Sequence, residues 1–390
     1  MTNRQNLEHP SVNSKMATSS IRIKMVDLQT QYGRLKSEID QAISAVISDS
    51  NFINGQAVQD FSADLANWLG SRFVIPCGNG TDALQLAYMA LGLKPGDEVI
   101  VPAFNYVAAA EAAALLGIVP VFADVDSQSF NLDSLSAAAA IGPKTKAIVV
   151  VHLFGQSSKL EEIHSLCEKN GLFLIEDNAQ AMGAEMTNGK FAGKKLGTIG
   201  DIGTTSFFPT KNLGCMGDGG ALFCQDEELA IRIRMMANHG QRQRYQYDAI
   251  GMNSRLDTIQ AAILRVKLPH LNFFNKVRQE TADNYSLILK SRSGISVPEI
   301  APGSSHVFHQ YTIRFKDAGR RDEVRENLSL AGIQSMVYYP LPLHMHPVYR
   351  SPRHPEGSLP IAEKLSSQVL SLPIHSEMTE ALVQEICSAI

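Results

Sequence analysis

Residues 1–20 carry no periodic apolar pattern, whereas apolar side chains recur at helical spacing over 35–47. The contrast predicts a polar, disordered extension at 1–24 and then an amphipathic helix, with periodic structure starting near Ile21. From residue 72 the pattern turns to short apolar runs alternating with helical ones. Strands are expected at 72–76, 98–101, 119–123, 146–152 and 172–175, with helices at 81–91, 106–116 and 160–169 between them. The run from Lys146 to His152 is apolar on both faces, as a buried parallel strand should be. This alternation predicts an α/β chain with a parallel or mixed sheet covered by helices. Beyond Gly200 the rhythm changes. Strands at 204–208 and 221–224 bracket a Gly-rich loop, and helices follow at 227–237 and 256–267, the latter ended or kinked at Pro269. Helical pattern resumes to about 290. A strand at 309–315 and helices at 322–331 and 380–390 predict a small α+β unit, so the expected division is a large domain at 25–267 and a small one at 268–390.

Composition narrows the classes. The 390 residues are 44% hydrophobic and 19% charged, with 35 Lys+Arg against 39 Asp+Glu, a net charge of −4. That near balance removes the electrostatic case for nucleic acid or an anionic membrane as partner. Cys77, Cys167, Cys215, Cys224 and Cys387 are odd in number and scattered, with no CxxC pair. They fit a reducing compartment rather than a disulfide framework or structural zinc. His344-Met345-His346 has no evident third ligand, so no metal is expected. The N-terminus lacks an apolar h-region, and the stretch 107–122 is interrupted by Glu111 and too short to span a bilayer. A cytoplasmic protein is expected.

Three segments can carry chemistry. Gly78-Asn79-Gly80-Thr81-Asp82-Ala83 joins a strand to a helix, where free N–H groups and a hydroxyl can cradle a phosphate. It equally reads as a capped turn or as a loose GxGxxA dinucleotide match; no P-loop motif occurs. Glu176 and Asp177 end a buried strand, the place where open α/β sheets bind ligands, although Asp177 could simply cap a turn. Lys211 lies in Ser-Phe-Phe-Pro-Thr-Lys-Asn-Leu-Gly, an apolar, Gly-flanked loop where a lysine loses its usual solvation and can form a Schiff base. A phosphate cradle, a carboxylate for a ring nitrogen and an amine for an aldehyde are together what pyridoxal phosphate needs. A dinucleotide site leaves Lys211 unexplained.

At these residues the chain resembles the DegT/StrS family of pyridoxal phosphate-dependent sugar aminotransferases, over about 25–390. The matching stretches are GNGTDAL from Gly78, GDEVIVPAFNYVAAA from Gly96, EDNAQAMGA from Glu176, SFFPTKNLGCMGDGG from Ser206, NSRLDTIQAAIL from Asn253 and YPLPLH from Tyr339. The resemblance implies fold type I: a large domain with a mixed, mostly parallel sheet flanked by helices, and a small C-terminal α+β domain. It implies a homodimer with shared active sites. Carried over by position, Lys211 is the Schiff-base lysine, Asp177 pairs with the pyridinium nitrogen and Gln180 lies near the 3-oxygen. Gly80, Thr81, Asp82 (through its backbone N–H) and Ser206 hold the phosphate, with Asn253 reaching it from the neighbouring subunit. Tyr106 stacks on the ring, although core packing at a helix head is an equal reading from spacing alone. Glutamate is the implied amino donor and a nucleotide-linked ketosugar the acceptor. The segment 239–256 most resembles the branch acting on UDP-linked 2-acetamido-3-keto-uronic acids, and less closely enzymes of dTDP-linked 3-keto-6-deoxyhexoses. Arg255, His239, Tyr338 and His344 are the expected substrate contacts, with a salt bridge to Asp257 the alternative for Arg255. The product would enter surface polysaccharide such as O-antigen. Two departures bear on substrate: Met216 replaces a frequent aromatic, and Tyr338 stands where the uronate branch tends to carry histidine. Relatives that dehydrate sugars replace the lysine by histidine, so Lys211 favours transamination over a dehydratase or sensor.

Overall fold

The alternation read from the sequence builds one seven-stranded sheet in the computed structural model, which describes residues 21–157 and 159–390. Two helices, α1 (Leu28–Asp49) and α2 (Gln56–Leu69), precede it. Then come β1 (Phe73–Cys77), α3 (Gly80–Ala90), β2 (Glu98–Pro102), α4 (Ala108–Leu115), β3 (Val119–Ala123), α5 (Ser134–Ala140), β4 (Thr145–Val151), α6 (Leu160–Asn170) and β5 (Phe173–Asp177). The sheet is finished by β6 (Ile202–Ser206) and β7 (Gly220–Cys224), before α7 (Glu227–Ala237), a hairpin of β8 (Gln241–Gln243) and β9 (Gln246–Tyr247), and α8 (Thr258–Lys267). The rest is α9 (Leu271–Leu289), β10 (Ile295–Ser296), β11 (Tyr311–Phe315), α10 (Ala318–Leu330), α11 (Pro360–Gln368), β12 (Val369–Leu372) and α12 (Glu380–Ser388).

Strand order is β1-β7-β6-β5-β4-β2-β3. All neighbours pair parallel except β7, which is antiparallel to both β1 and β6. Reversal of β7 alone leaves the other six strands pointing one way. β4 can lie near the centre because its Ala147-Ile148-Val149-Val150-Val151 run is buried on both faces. α4 can pack closely between α3 and the sheet because Ala108, Ala109, Ala110, Ala112 and Ala113 are all buried and carry only methyl side chains. Glycines let β6 pass its neighbours: a methyl on Gly203 would lie 1.9 Å from the Gly197 carbonyl oxygen.

A separate core joins Ile23, Tyr285, Leu289, Tyr311, Ile313, Val324, Leu328, Leu370, Val383 and Ile386 around the small sheet β10-β11-β12. Ile23 enters it through a bridge to Ile333. The expected extension therefore gives way to ordered chain by Ile21, and its residues 1–20 lie outside the described residues. All five cysteines are free and buried. No helix among the described residues is long and apolar enough to cross a membrane.

Some boundaries differ from the pattern. The helix expected from 106 starts at Ala108, leaving Tyr106 in the preceding turn. The strand expected from 309 starts at Tyr311, because Phe308 has φ +43°, which breaks extended geometry and keeps His309 and Gln310 in a loop. α2, α5, α11, β12 and the β8–β9 hairpin add to the elements expected.

Candidate active site

Because only β7 is reversed, the carboxyl ends of β1, β2, β4, β5 and β6 converge at one edge, joined there by the start of β7. A cavity of about 630 Å³ opens at that edge. Its walls include Gly80, Thr81, Tyr106, Asp177, Gln180, Ser206, Lys211 and Tyr338, all singled out above.

One wall is the head of α3. Asn79 caps it, its Oδ1 accepting the Asp82 N–H at 2.8 Å. Asp82 Oδ2 accepts the Ser254 hydroxyl at 2.6 Å, and Ser254 Oγ accepts the Gly78 N–H at 2.9 Å. The N–H of Asp82, expected to hold a phosphate, is thus engaged by the cap, and the carboxylate braces the turn. Gly80 and Thr81 keep N–H groups without a protein acceptor among the described residues. A methyl on Gly80 would lie 2.7 Å from Ser206 Cβ, so this close approach of α3 to β6 needs glycine. Ser206 Oγ accepts the Phe208 N–H at 3.2 Å and keeps its own proton to donate.

Opposite lie the amine and the carboxylate. Burial pushes the Lys211 amine down to about 8, while the Asp177 carboxylate pulls the other way. Burial raises Asp177, opposed by the Ala179 N–H, Lys211 and His152. Asp177 Oδ1 accepts that N–H at 3.0 Å, which orients the carboxyl in the cavity wall. Gln180 Oε1 accepts the Phe154 N–H at 2.8 Å, and its Nε2 donates to Tyr339 Oη at 3.2 Å. The second amide proton remains for a ligand.

Behind Asp177, on the other face of β5, the fully buried Glu176 ties the edge together. Its Oε1 accepts the Ile199 and Gly200 N–H groups at 2.7 and 2.6 Å, and its Oε2 that of Gly197 at 2.8 Å. His152 Nε2 lies 2.8 Å from Oε2. Burial alone would raise this carboxyl, but His152 and the backbone donors outweigh it and hold it below the ordinary value.

The other expected residues stand apart. His344 is corrected: its ring is fully buried, with Nε2 3.1 Å from Glu363, and it belongs to a different cavity, lined also by Arg350 and His354. Packing against Phe122 and Glu363 takes it away from Lys211. Asn253 and His239 are exposed and Arg255 half-buried, and none lines the cavity of its own chain. The alternative for Arg255, a salt bridge to Asp257, is not formed among the described residues. Sequence reading missed Asn105, His309, Gln310 and Tyr339, all in the wall. Tyr339 had a signal in its YPLPLH stretch; a lone His309 reads as an ordinary core histidine.

These groups fit pyridoxal phosphate. Free N–H groups and hydroxyls at a helix head suit its phosphate. A partly deprotonated amine suits its aldehyde, and a buried carboxylate its ring N–H.

The profile of the DegT/DnrJ/EryC1/StrS aminotransferase family matches residues 34–390. The chain is 44% identical over 372 residues to the "pleiotropic regulatory protein" of Geobacillus stearothermophilus, covering 95% of this chain and 98% of that protein. It is 43% identical over 371 residues to the UDP-2-acetamido-2-deoxy-3-oxo-D-glucuronate aminotransferase of Pseudomonas aeruginosa, covering 94% and 99%. The crystal structure of S. venezuelae DesV in complex with a ketimine intermediate superposes with a TM-score of 0.90 at 39% identity, covering 95% of this chain and 98% of that one. The chain thus belongs to the DegT/DnrJ/EryC1/StrS aminotransferase family and is a fold type I, pyridoxal phosphate-dependent aminotransferase.

Proposed function

We propose that the chain moves an amino group from glutamate onto a nucleotide-linked ketosugar, in the cytoplasm, for surface polysaccharide such as O-antigen. The C3 keto group of a UDP-2-acetamido-3-keto-hexuronic acid is the first acceptor to test, on the strength of the Pseudomonas relative. The observation that carries the reading is one cavity holding Lys211, Asp177 and the free N–H groups of α3.

Bound pyridoxal phosphate supplies an aldehyde that condenses with amines and a ring that takes up the electron pair of a breaking C–H bond. Gly80, Thr81 and Ser206 anchor its phosphate, and Gln180 donates to its 3-oxygen. Asp177 keeps the ring nitrogen protonated. Tyr106 covers one face of the ring. Lys211 Nζ takes the α-proton of glutamate; with a pKa of about 8, a useful fraction is free base near neutrality. The same amine returns a proton to the sugar carbon in the second half of the cycle.

The enzyme works as a homodimer with shared sites. Asn253, His239 and Arg255 serve the partner's cavity, Asn253 at the phosphate and Arg255 at the sugar nucleotide, with Tyr338 at the sugar. The division into a large domain and a small one from 268 onward is supported by the separate core around β10-β11-β12, which Ile23 joins from the other end of the chain.

A second acceptor, a dTDP-linked 3-keto-6-deoxyhexose, is favoured by one observation. Among the described residues lining the cavity, Lys211 is the sole lysine or arginine, and Tyr338 offers no charge to a sugar carboxylate. The test is spectroscopic first. The purified enzyme with pyridoxal phosphate should show a visible absorbance band that glutamate bleaches, and Lys211→Ala should show neither the band nor turnover. Ketosugars of both classes are then offered in competition. A visible band that ignores glutamate would overturn the donor, and an active Lys211→Ala enzyme would overturn the mechanism.

A further inference from the structure

His309 lines the same cavity as Lys211 and has no part in the steps above. Its Nδ1 lies 3.1 Å from Asn212 Oδ1. Asn212 is the residue after Lys211, and its Nδ2 donates to Asn275 Oδ1 at 2.8 Å and to the Val307 carbonyl at 3.2 Å. Asn275 Nδ2 in turn donates to the Met182 carbonyl at 3.0 Å. Both ends of this chain are backbone carbonyls, which only accept. They fix the orientation of both amides, so Asn212 Oδ1 is an acceptor and His309 Nδ1 carries the proton.

The ring is also kept neutral. Arg278, on α9, donates through Nη1 to the carbonyls of Phe308, His309 and Ile374 at 3.2, 3.3 and 2.9 Å. Burial first, then the charges of Lys211 and Arg278, hold the imidazole well below its usual range. His306, on the same segment, is lowered to about 3 by burial, and its Nδ1 accepts the Phe308 N–H at 2.9 Å. No carboxylate acts on His309; Asp177 acts on Lys211. A neutral imidazole protonated at Nδ1 has a bare Nε2. The loop that carries it is clamped, with the Val307 N–H donating to the Gly155 carbonyl at 2.9 Å and the Gln310 N–H to that of Phe154 at 3.3 Å. A methyl on Gly155 would lie 3.0 Å from the His309 backbone nitrogen, so the two loops are in close contact.

We propose that His309 is a positioning residue for Lys211, its Nε2 lone pair accepting a hydrogen bond from the Lys211 amine and fixing where that amine points. The inference rests on the reading of Lys211 as the reacting amine. It has a measurable consequence. An acceptor for the ammonium favours the charged form and so offsets part of the effect of burial. Without it the Lys211 pKa falls further.

The experiment uses the cofactor-free protein. Competitive acetylation over a pH series, read at the Lys211 peptide by mass spectrometry, gives the apparent pKa of that amine. In His309→Phe it should fall by roughly one unit, while His309→Gln, which keeps an acceptor oxygen, stays near wild type. Lys267, buried with Nζ 2.8 Å from the Gly214 carbonyl, should be unmoved in both and serves as the internal reference. Nitrogen-15 spectra of the wild type should show His309 Nε2 unprotonated through the neutral range. An unchanged Lys211 pKa in folded His309→Phe would overturn the proposal. So would a protonated Nε2, a result that needs no variant to fold. Failure of added pyridoxal phosphate to give a visible band would instead strike the functional reading, and leaves this titration standing.

Discussion

Adjacent residues on a strand face opposite ways, and β5 uses this to give two carboxylates two jobs. Asp177 faces the cavity, while Glu176 holds three backbone N–H groups and His152 behind it. Glu176→Gln keeps the shape but turns an amide NH2 toward donors. It should cost about 2–4 kcal/mol in denaturant unfolding at neutral pH, the range for spoiling a buried charged acceptor. The sign of the pH effect follows from the direction of the shift. The folded-state pKa of Glu176 lies below its ordinary value, so the carboxylate's contribution is present above that value and is lost as pH falls through the folded pKa. The gap between wild type and Glu176→Gln should therefore narrow on acidification, and a gap independent of pH would contradict it. Lys211 and Asp177 were legible in the sequence because their neighbours were abnormal: Phe-Phe-Pro and glycines around a lysine, and a wholly apolar strand before an acid. His309 was not. Its setting depends on Asn212, 97 residues away, and no local pattern carries that.

At the level of elements, the head of α3 is the part whose design is most constrained. Glycine at 80 lets the helix approach β6 closely enough for Ser206 to join Gly80 and Thr81 in one cradle. Gly80→Ala should separate them. We expect pyridoxal phosphate to bind at least tenfold more weakly, a loss of about 1.4 kcal/mol, measured by titrating the visible band. Gly33→Ala is the control. Gly33 lies in α1 with no atom near its missing methyl, so cofactor affinity should not change. The strands of the large sheet were readable to within about two residues, most closely where a buried strand is a continuous apolar run, as in β3 and β4, and least in β6, which is Ile-Gly-Thr-Thr-Ser. α2 was missed although it left a signal, since Phe61, Leu65 and Leu69 recur every four residues and are all buried. β12 was not: Val-Leu-Ser-Leu before a proline is too short to separate from the helix before it. Reversal of β7 was equally hidden, because it depends on how a Gly-rich loop folds back, and that loop carries Lys211.

For the whole molecule, one chain assembles the amine, the ring carboxylate and the head of α3, but leaves Asn253, His239 and Arg255 outside its own cavity. Phe52, Tyr245, Tyr247 and Ile250 are exposed on the same chain, two of them in the β8–β9 hairpin. Large apolar groups beside unused polar ones are what a self-complementary interface requires. If the dimer shares its sites, two inactive enzymes can restore each other. Lys211→Ala lacks the amine but keeps Asn253; Asn253→Ala keeps the amine but lacks the phosphate contact. A heterodimer of the two has one site with both defects and one with neither. Equal mixing with subunit exchange should therefore recover about a quarter of wild-type sites, the statistical yield of random pairing. Each variant alone should stay near its own low baseline, with Asn253→Ala recovering only at high cofactor concentration. Exchange between the subunits must be shown separately, by mass spectrometry of differently labelled chains. Exchanged heterodimers with no gain in turnover would mean that Asn253 acts within its own chain, and the loop carrying it would then have to move toward its own cavity when the cofactor binds.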